Sequence, residues 1–272
     1  MTGRRLALAV AGQTVALALV SPYLVMLFTA LKPAAELRAT PPRLLPVAWQ
    51  PGNVLDVLGD AAFQSWLSVS LVVAAVSTVL VLLAAVPAAY YTARHHFPGR
   101  TAFLLLVLVT QMFSPTALVV GLYREFFELD LINTYAALIL TNAAFNLAFA
   151  IWMLRAFFAS IPREIEEAAA VDGCGRLRTL AGIVLPLSLP GIVTAAIFAF
   201  IAAWNEYIVA LTVMTDPAMK PLTVGITTYV TAYVQHWNSL FAASILAIVP
   251  VVILFALIER YLVGGLTAGS LK

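Results

Sequence analysis

Residues 162–186 read PREIEEAAAVDGCGRLRTLAGIVLP, and this stretch indicates how the whole chain is organised. It combines charged, small and turn-forming residues, whereas the chain on either side is largely apolar. Pro162 suits the first turn of a helix, where a missing N–H costs nothing. Gly173 suits the end of that helix, because glycine readily adopts the left-handed conformation. The sequence therefore predicts a short polar helix between two apolar segments.

The predicted helix carries carboxylates beside methyl-sized side chains. On a helical wheel, one side carries Glu164, Glu167, Ala168 and Val171, and an adjoining side carries Ile165, Ala168, Ala169 and Asp172. Small residues let another surface approach closely, and carboxylates beside them select a basic partner. We interpret segment 162–186 as a docking site for a partner protein, the alternative being an ordinary solvated loop helix. Glu166 lies on the opposite side of the wheel, and we expect it to be dispensable.

The spacing in this stretch resembles the E-A-A motif of ABC importer permeases. Glu167-Ala168-Ala169 is followed by three residues and Gly173, then by nine residues and Ile183, with Leu185-Pro186 at the end. Other segments resemble the maltose-transporter-type, carbohydrate branch of that family: IPRE at 161–164, WNEY at 204–207, GLTAG at 265–269 and, more weakly, LKP at 31–33 and FPGR at 97–100. The resemblance covers nearly the whole chain.

This resemblance implies an all-α permease with six transmembrane helices and a cytoplasmic coupling helix between spans 4 and 5. The residues it implies for ATPase coupling are Glu164, Glu167, Ala168, Ala169, Asp172, Gly173, Leu185 and Pro186. It also implies that the tail, residues 264–272 with Thr267 and Gly269, reaches between two ATPase subunits. The implied partners are a second homologous permease, two copies of an ABC ATPase and an extracytoplasmic solute-binding protein. The implied cargo is a carbohydrate or related polyol, moved by alternating access.

The composition indicates a polytopic protein of the lipid bilayer. Hydrophobic residues make up 62% of the chain and charged residues 10%, whereas soluble domains carry about 25% charge. A bilayer core about 30 Å thick needs about 20 helical residues. That length predicts spans at about 6–31, 66–91, 101–123, 135–158, 190–214 and 240–262. We expect one permease domain over residues 1–272, with its core at about 66–262.

Basic residues predict the orientation, since they concentrate on the cytoplasmic side. With the N-terminus inside, the inner side carries ten of them: Arg4, Arg5, Arg94, Arg100, Arg155, Arg163, Arg176, Arg178, Arg260 and Lys272. The outer side carries five: Lys32, Arg38, Arg43, Arg124 and Lys220. The asymmetry predicts that both termini and segment 162–186 lie in the cytoplasm, and the resemblance implies that the membrane is the bacterial cytoplasmic (inner) membrane.

Polar residues in the third and fourth predicted spans suit a translocation path. The third span is interrupted at 111–115, where a proline frees backbone groups that need a protein partner or a water-filled cavity. Gln111 and Ser114 are therefore path candidates, with packing against a neighbouring helix as the alternative. Asn142 and Asn146 lie one turn apart in the fourth span. Amides in a membrane bond across helices or line a channel, and for these two we favour helix–helix bonding.

The fifth predicted span contains a carboxylate, Glu206. It lies about 24 Å along a helix from Pro190, at 1.5 Å per residue, which places it in the outer part of the bilayer. An intramembrane carboxylate indicates function, and the aromatic and hydrogen-bonding groups of Trp204, Asn205 and Tyr207 beside it suit a sugar. The alternative is an interfacial aromatic belt with a solvated Glu206.

The sequence lacks the motifs of several other functional classes. No G-x-x-x-x-G-K-[ST] loop is present, so ATP hydrolysis, with its Mg ion, is expected on a separate subunit and this chain is not expected to be an enzyme. No residue cluster indicates a metal site, another bound cofactor or a nucleic-acid interface. The alternatives are an importer permease for a non-sugar solute, an ATPase-independent secondary transporter or channel, and a membrane enzyme. Neither a proton relay nor repeated broken helices are expected, which disfavours the secondary transporter.

Overall fold

The computed structural model describes the backbone of residues 3–231 and 235–267, and the side chains of residues 7–231 and 235–257. Within the described residues, the regular elements are all helical, as the sequence predicts. The α-helices are α1 (Gly3–Ala30), α2 (Gly52–Gly59), α3 (Ala61–Arg94), α4 (Arg100–Thr110), α5 (Pro115–Glu128), α6 (Tyr135–Ser160), α7 (Arg163–Val171), α8 (Arg176–Thr179), α9 (Leu185–Leu187), α10 (Leu189–Trp204), α11 (Ile208–Val213), α12 (Leu222–Gly225) and α13 (Trp237–Thr267).

Four of these helices are long and apolar enough to cross a membrane: α1 over Ala7–Ala30, α3, α6 and α13 over Trp237–Leu257. Two more spans result if each of two bent helix pairs crosses as one unit. The first pair is α4 with α5, bent by 93°, and the second is Arg176–Leu187 with α10, bent by 75°. The structure thus supports four to six spans, and the count of six stays a prediction.

Within the part of the chain that the structure describes, three helix breaks divide the bundle. α4 ends at Thr110 and α5 begins at Pro115, where the sequence predicts an interruption. A second break lies at Ser188, between the prolines at 186 and 190, and it follows a π-turn in which the Leu185 N–H donates to the Leu180 carbonyl oxygen. The third break, at residues 205–207, divides the predicted fifth span. The expectation that repeated broken helices are absent is therefore wrong.

Helices α3, α6 and α10 form the centre of the bundle. Their interface is built from buried alanines, branched aliphatic residues and Phe158. Small side chains allow transmembrane helices to approach closely. A methyl group added at Gly191 of α10 would lie 2.4 Å from Cγ of Phe157 on α6, so these two helices are in direct backbone-to-ring contact. This tightly packed centre positions both α7 and the cavity described below.

Candidate coupling surface and translocation cavity

α7 is the short polar helix that the sequence predicts, and its end is fixed by backbone hydrogen bonds. The Gly173 N–H donates to the Ala170 carbonyl oxygen over 3.1 Å, and the Cys174 N–H to the Ala169 carbonyl oxygen over 2.9 Å. These two bonds form a Schellman motif, which requires a left-handed residue. Gly173 supplies it with φ at 81°. The helix therefore ends at Val171, and the chain leaves it in a defined direction.

The two sides of α7 have different surroundings. Glu164, Glu167 and Ala168 are exposed, and Val171 is 88% exposed. Ala169, by contrast, is only 4% exposed, so its methyl group faces this chain itself. The expectation that Ala169 contacts a partner is corrected, because this residue lies on the side of the helix that seats α7 on the bundle.

Glu166 anchors α7 to the end of α3. Its Oε1 lies 2.5 Å from Nε of Arg94, and the Tyr90 hydroxyl donates to its Oε2 over 2.7 Å. The side chains of this ion pair are largely buried, at 7% exposed for Arg94 and 18% for Glu166. The expectation that Glu166 is dispensable is wrong, because its removal leaves a buried guanidinium without its carboxylate. Nothing in the local sequence pattern pointed to this pair.

The remaining residues predicted for coupling lie beyond α7. Asp172 is exposed at the C-terminal cap of the helix, where its N–H donates to the Ala168 carbonyl oxygen over 3.0 Å. Leu185 packs against the central cluster, and Pro186 is exposed just before the bend at Ser188. The predicted tail contacts lie outside the described residues, at Gly269 and at the side chain of Thr267.

A cavity of about 390 Å³ opens between α6 and two of the helix breaks. Its polar lining includes five of the predicted path residues: Gln111, Ser114, Asn142, Asn146 and Glu206. Its apolar lining includes Met112, Phe113 and Phe145. The structure therefore brings together residues from three separate regions of the sequence. A cavity with aromatic walls and a few polar groups has the chemistry of a small-molecule site.

The amides of α6 bond within their own helix. Nδ2 of Asn142 donates to the Leu138 carbonyl oxygen over 2.9 Å, and Nδ2 of Asn146 donates to the Asn142 carbonyl oxygen over 2.8 Å. The preference for helix–helix bonding is corrected, because each amide reaches a carbonyl one turn earlier. Both residues instead line the cavity.

Glu206 explains the third helix break. Its Oε1 accepts the N–H of Val209 over 2.7 Å, and its Oε2 accepts the N–H of Ala210 over 2.9 Å. A carboxylate that caps a helix in this way satisfies backbone donors that otherwise lack partners. The Glu206 carbonyl oxygen also accepts the Thr223 hydroxyl over 2.7 Å. The sequence identified Glu206 as unusual but did not predict that it starts a new helix.

The neighbours of Glu206 do not line this cavity. Nδ2 of Asn205 donates to the Ile201 carbonyl oxygen over 2.9 Å, and Asn205 borders a separate apolar groove formed with α1 and α13. Tyr207 packs against a buried cluster that includes Phe126. The structure does not bring Asn205 and Tyr207 together with Glu206 at this cavity, and their place on a translocation path stays a prediction.

Comparison with known proteins places the chain in a family. The family model of the binding-protein-dependent transport system inner membrane component matches residues 82–267. The sulfoquinovosyl glycerol transport system permease protein of Agrobacterium fabrum is 39% identical over 92% of this chain and 88% of its own length. The trehalose/maltose transport system permease protein of Thermococcus litoralis is 36% identical over 81% of this chain and 80% of its own.

A solved structure shows the same fold. One chain of a bacterial ABC transporter involved in the import of the polysaccharide alginate superposes with a TM-score of 0.81, covering 94% of this chain and 95% of that one at 23% identity. The family match covers more than half of the chain, and both relatives align over most of their length. The chain belongs to the family of inner membrane components of binding-protein-dependent transport systems, and it is a multi-pass membrane protein.

Proposed function

We propose that this chain is a transmembrane permease subunit of an ATP-driven ABC importer for a carbohydrate or related polyol. The family membership supports the transport role, and the sugar-specific names of two relatives support the substrate class. The observation that carries the proposal is the pairing of an exposed acidic helix with a polar and aromatic cavity. Both features are attached to α6: its end leads into α7, and its Asn142 and Asn146 line the cavity.

The exposed side of α7 is the proposed ATPase contact. Glu164 and Glu167 offer carboxylates to a basic cleft on the ATPase. Ala168 lies between these glutamates and Val171 on the same side of α7, and its small side chain allows the ATPase to approach closely. Asp172 adds a further carboxylate where the helix ends. ATP and Mg would bind to the ATPase subunits, so the task of this chain is to receive their movement.

The cavity is the proposed part of the translocation path in this subunit. Gln111, Ser114, Asn142 and Asn146 present amide and hydroxyl groups that suit sugar hydroxyls, and Phe113 and Phe145 present apolar rings that suit sugar faces. A second homologous permease would complete the path, and a solute-binding protein would deliver the sugar. Bends at the three helix breaks give the bundle places where the helices can pivot during alternating access.

The Glu206→Gln substitution tests the role of the cavity. It keeps the size of the side chain but leaves only one oxygen to cap α11, and the lost charged hydrogen bond costs about 1.5–3 kcal/mol at most. We expect the complex to assemble while the rate or substrate dependence of uptake changes severalfold. The matched control is Glu128→Gln, since Glu128 is 57% exposed and lies outside the cavity. Parental uptake kinetics in Glu206→Gln would argue against a path at this cavity.

Cysteine labelling in intact cells tests the proposed orientation, with both termini and α7 in the cytoplasm. In a Cys174→Ala background, Arg43→Cys and Arg124→Cys should react with a membrane-impermeant maleimide, because both positions are exposed and predicted to be outside. His96→Cys and Leu177→Cys are equally exposed and should react only after cell lysis. Labelling of position 177 but not of position 43 in intact cells would show that the orientation of the chain in the membrane is opposite to the proposed one.

The helix breaks favour one alternative function, that of an ATPase-independent secondary transporter, because broken helices also form the substrate-binding sites of such proteins. An importer for a non-sugar solute is the other alternative. To identify the cargo, the chain is purified with the products of its neighbouring genes and reconstituted in vesicles, and uptake of labelled maltose, trehalose, diacetylchitobiose, amino acids and phosphate is measured. Accumulation of at least one sugar, dependent on a co-purified binding protein, is the expected result. Accumulation only of amino acids or phosphate would refute the carbohydrate assignment.

A further inference from the structure

α7 carries two adjacent glutamates in opposite environments. Glu167 is exposed, whereas the Glu166 side chain is 18% exposed and paired with Arg94. In the proposed function Glu167 faces an ATPase, but nothing in that function uses Glu166. A largely buried ion pair is an uncommon way to hold a nine-residue helix in place, since desolvating two charges is costly.

We propose that Glu166, Arg94 and Tyr90 form a clamp through which movement of α7 is transmitted to the transmembrane bundle. This inference rests on the proposed function, because it assumes that an ATPase moves α7. It assigns the two glutamates different roles: Glu167 receives the movement from outside the chain, and the clamp passes it to α3. Glu166, Arg94 and Tyr90 are therefore positioning residues for transport.

The contacts of the clamp join three helices. Between α7 and α3 there are the ion pair of Glu166 with Arg94, the hydrogen bond from the Tyr90 hydroxyl, and a bond of 3.3 Å from Nη2 of Arg163 to the Arg94 carbonyl oxygen. The Tyr90 ring also meets the ring of Phe158 on α6 edge-on, with centroids 5.7 Å apart. Phe158 is fully buried in the central cluster, so the clamp is continuous with the core.

The clamp is a second connection between α7 and the bundle, in addition to the covalent connections of the helix. The helix is joined to its neighbours in sequence through a turn at Ile161 and Pro162 and through Gly173, which is left-handed. Such turns can absorb a displacement by small rotations of the backbone. A buried ion pair resists separation, because pulling it apart leaves two charges uncompensated in a poorly solvated site. A displaced α7 therefore carries α3 with it.

The route from the clamp leads to the cavity. α3 packs along α6 through buried residues such as Val81, Ala85 and Ile151. Further along α6, Asn142 and Asn146 line the cavity. Packed helices with discrete arrangements are the physical carriers of coupling between separate sites.

The test measures the number of sugar molecules moved per ATP hydrolysed, because a loss of folding alone would lower both quantities together. The complete transporter is reconstituted in vesicles with labelled maltose, trehalose or diacetylchitobiose, whichever the parent accumulates. Glu166→Gln keeps the side-chain size and an acceptor for Tyr90 but removes the charge. We expect the ATPase to stay bound and hydrolysis to continue, while the transport ratio falls about fivefold or more, within the usual range of coupling between sites.

Three further variants sharpen this test. The double exchange Arg94→Glu with Glu166→Arg restores opposite charges and should recover at least about half of the parental ratio. Glu128→Gln is the matched control: it breaks the exposed ion pair with Arg124, whose side chains are 80% and 57% exposed, and should leave the ratio unchanged. If Glu166→Gln fails to insert into the membrane, Tyr90→Phe removes a single hydroxyl and should lower the ratio about twofold.

The outcomes distinguish a failure of the clamp from a failure of the proposed function on which the clamp rests. A parental ratio in both Glu166→Gln and Tyr90→Phe, with the ATPase bound and the parent active, overturns the clamp and leaves the proposed function standing. Failure of the charge exchange to restore any coupling would overturn the requirement for this ion pair. A parent complex that binds no ATPase overturns the proposed function and the clamp with it.

Discussion

The Glu167→Lys substitution should release the ATPase from this permease while the chain still folds and reaches the membrane. Glu167 is exposed in the chain, so a lysine fits there without internal rearrangement. Against a basic cleft, however, the lysine brings like charges together. Removing one partner of a buried interfacial charge pair costs about 2–5 kcal/mol, and reversing it should cost no less. At 1.4 kcal/mol per factor of ten, that is roughly a thirtyfold or larger loss of affinity.

Co-purification of the ATPase and its substrate-stimulated hydrolysis measure this effect. Ala168→Trp should produce a similar loss for a steric reason, because Ala168 is exposed beside Glu167. Glu128→Lys is the matched charge reversal: Glu128 is also exposed, but it precedes the start of α6, whereas α7 follows the end of that helix. If Glu167→Lys keeps both the ATPase and its stimulation at parental levels, α7 is not the coupling element.

Of the substitutions proposed for this chain, Gly225→Ala should lower the free energy of unfolding most. A methyl group at this position would lie 2.1 Å from Cδ2 of Trp66. The indole cannot move aside easily, because it is 6% exposed, its Nε1 donates to the Pro217 carbonyl oxygen over 3.2 Å, and it meets the ring of Tyr229 edge-on. Overpacking of this kind costs about 1–3 kcal/mol. The expected fall in Tm of the detergent-purified chain is roughly 2–12 °C.

Gly121→Ala is the control for this prediction. Gly121 also lies in a helix, α5, but a methyl group there would meet nothing within 4 Å. Alanine is favoured over glycine within helices, so the Tm should stay the same or rise slightly. Equal Tm values for the parent and Gly225→Ala would show that α12 and α3 are not packed as closely as described.

Local signals in the sequence predicted the features that depend on neighbouring residues. The helix over 163–171 and its end at Gly173 follow from proline, carboxylates, small residues and glycine within twelve positions. The break before Pro115 follows from the missing N–H of proline. The cavity candidates Gln111, Asn142 and Glu206 stood out because polar groups are rare in apolar spans.

Features that depend on distant residues were missed. Tyr90 and Glu166 are 76 residues apart, and no local pattern indicates that they meet. The same applies to Ala169, since a helical wheel shows which residues share a side but not which side faces the bundle. One local feature was missed as well, the break at 205–207, because it contains no proline or glycine. It arises because the Glu206 carboxylate bonds to the backbone of the next helix.

Uptake by proteoliposomes that contain this chain, its partner permease, the ATPase and the binding protein tests the central proposal most directly. Labelled maltose, trehalose and diacetylchitobiose are supplied with the binding protein outside, and Mg-ATP is either enclosed or omitted. We predict that at least one sugar accumulates above its external concentration only when Mg-ATP is enclosed. Accumulation without ATP, driven instead by an imposed proton or sodium gradient, would contradict the account and identify the chain as a secondary transporter.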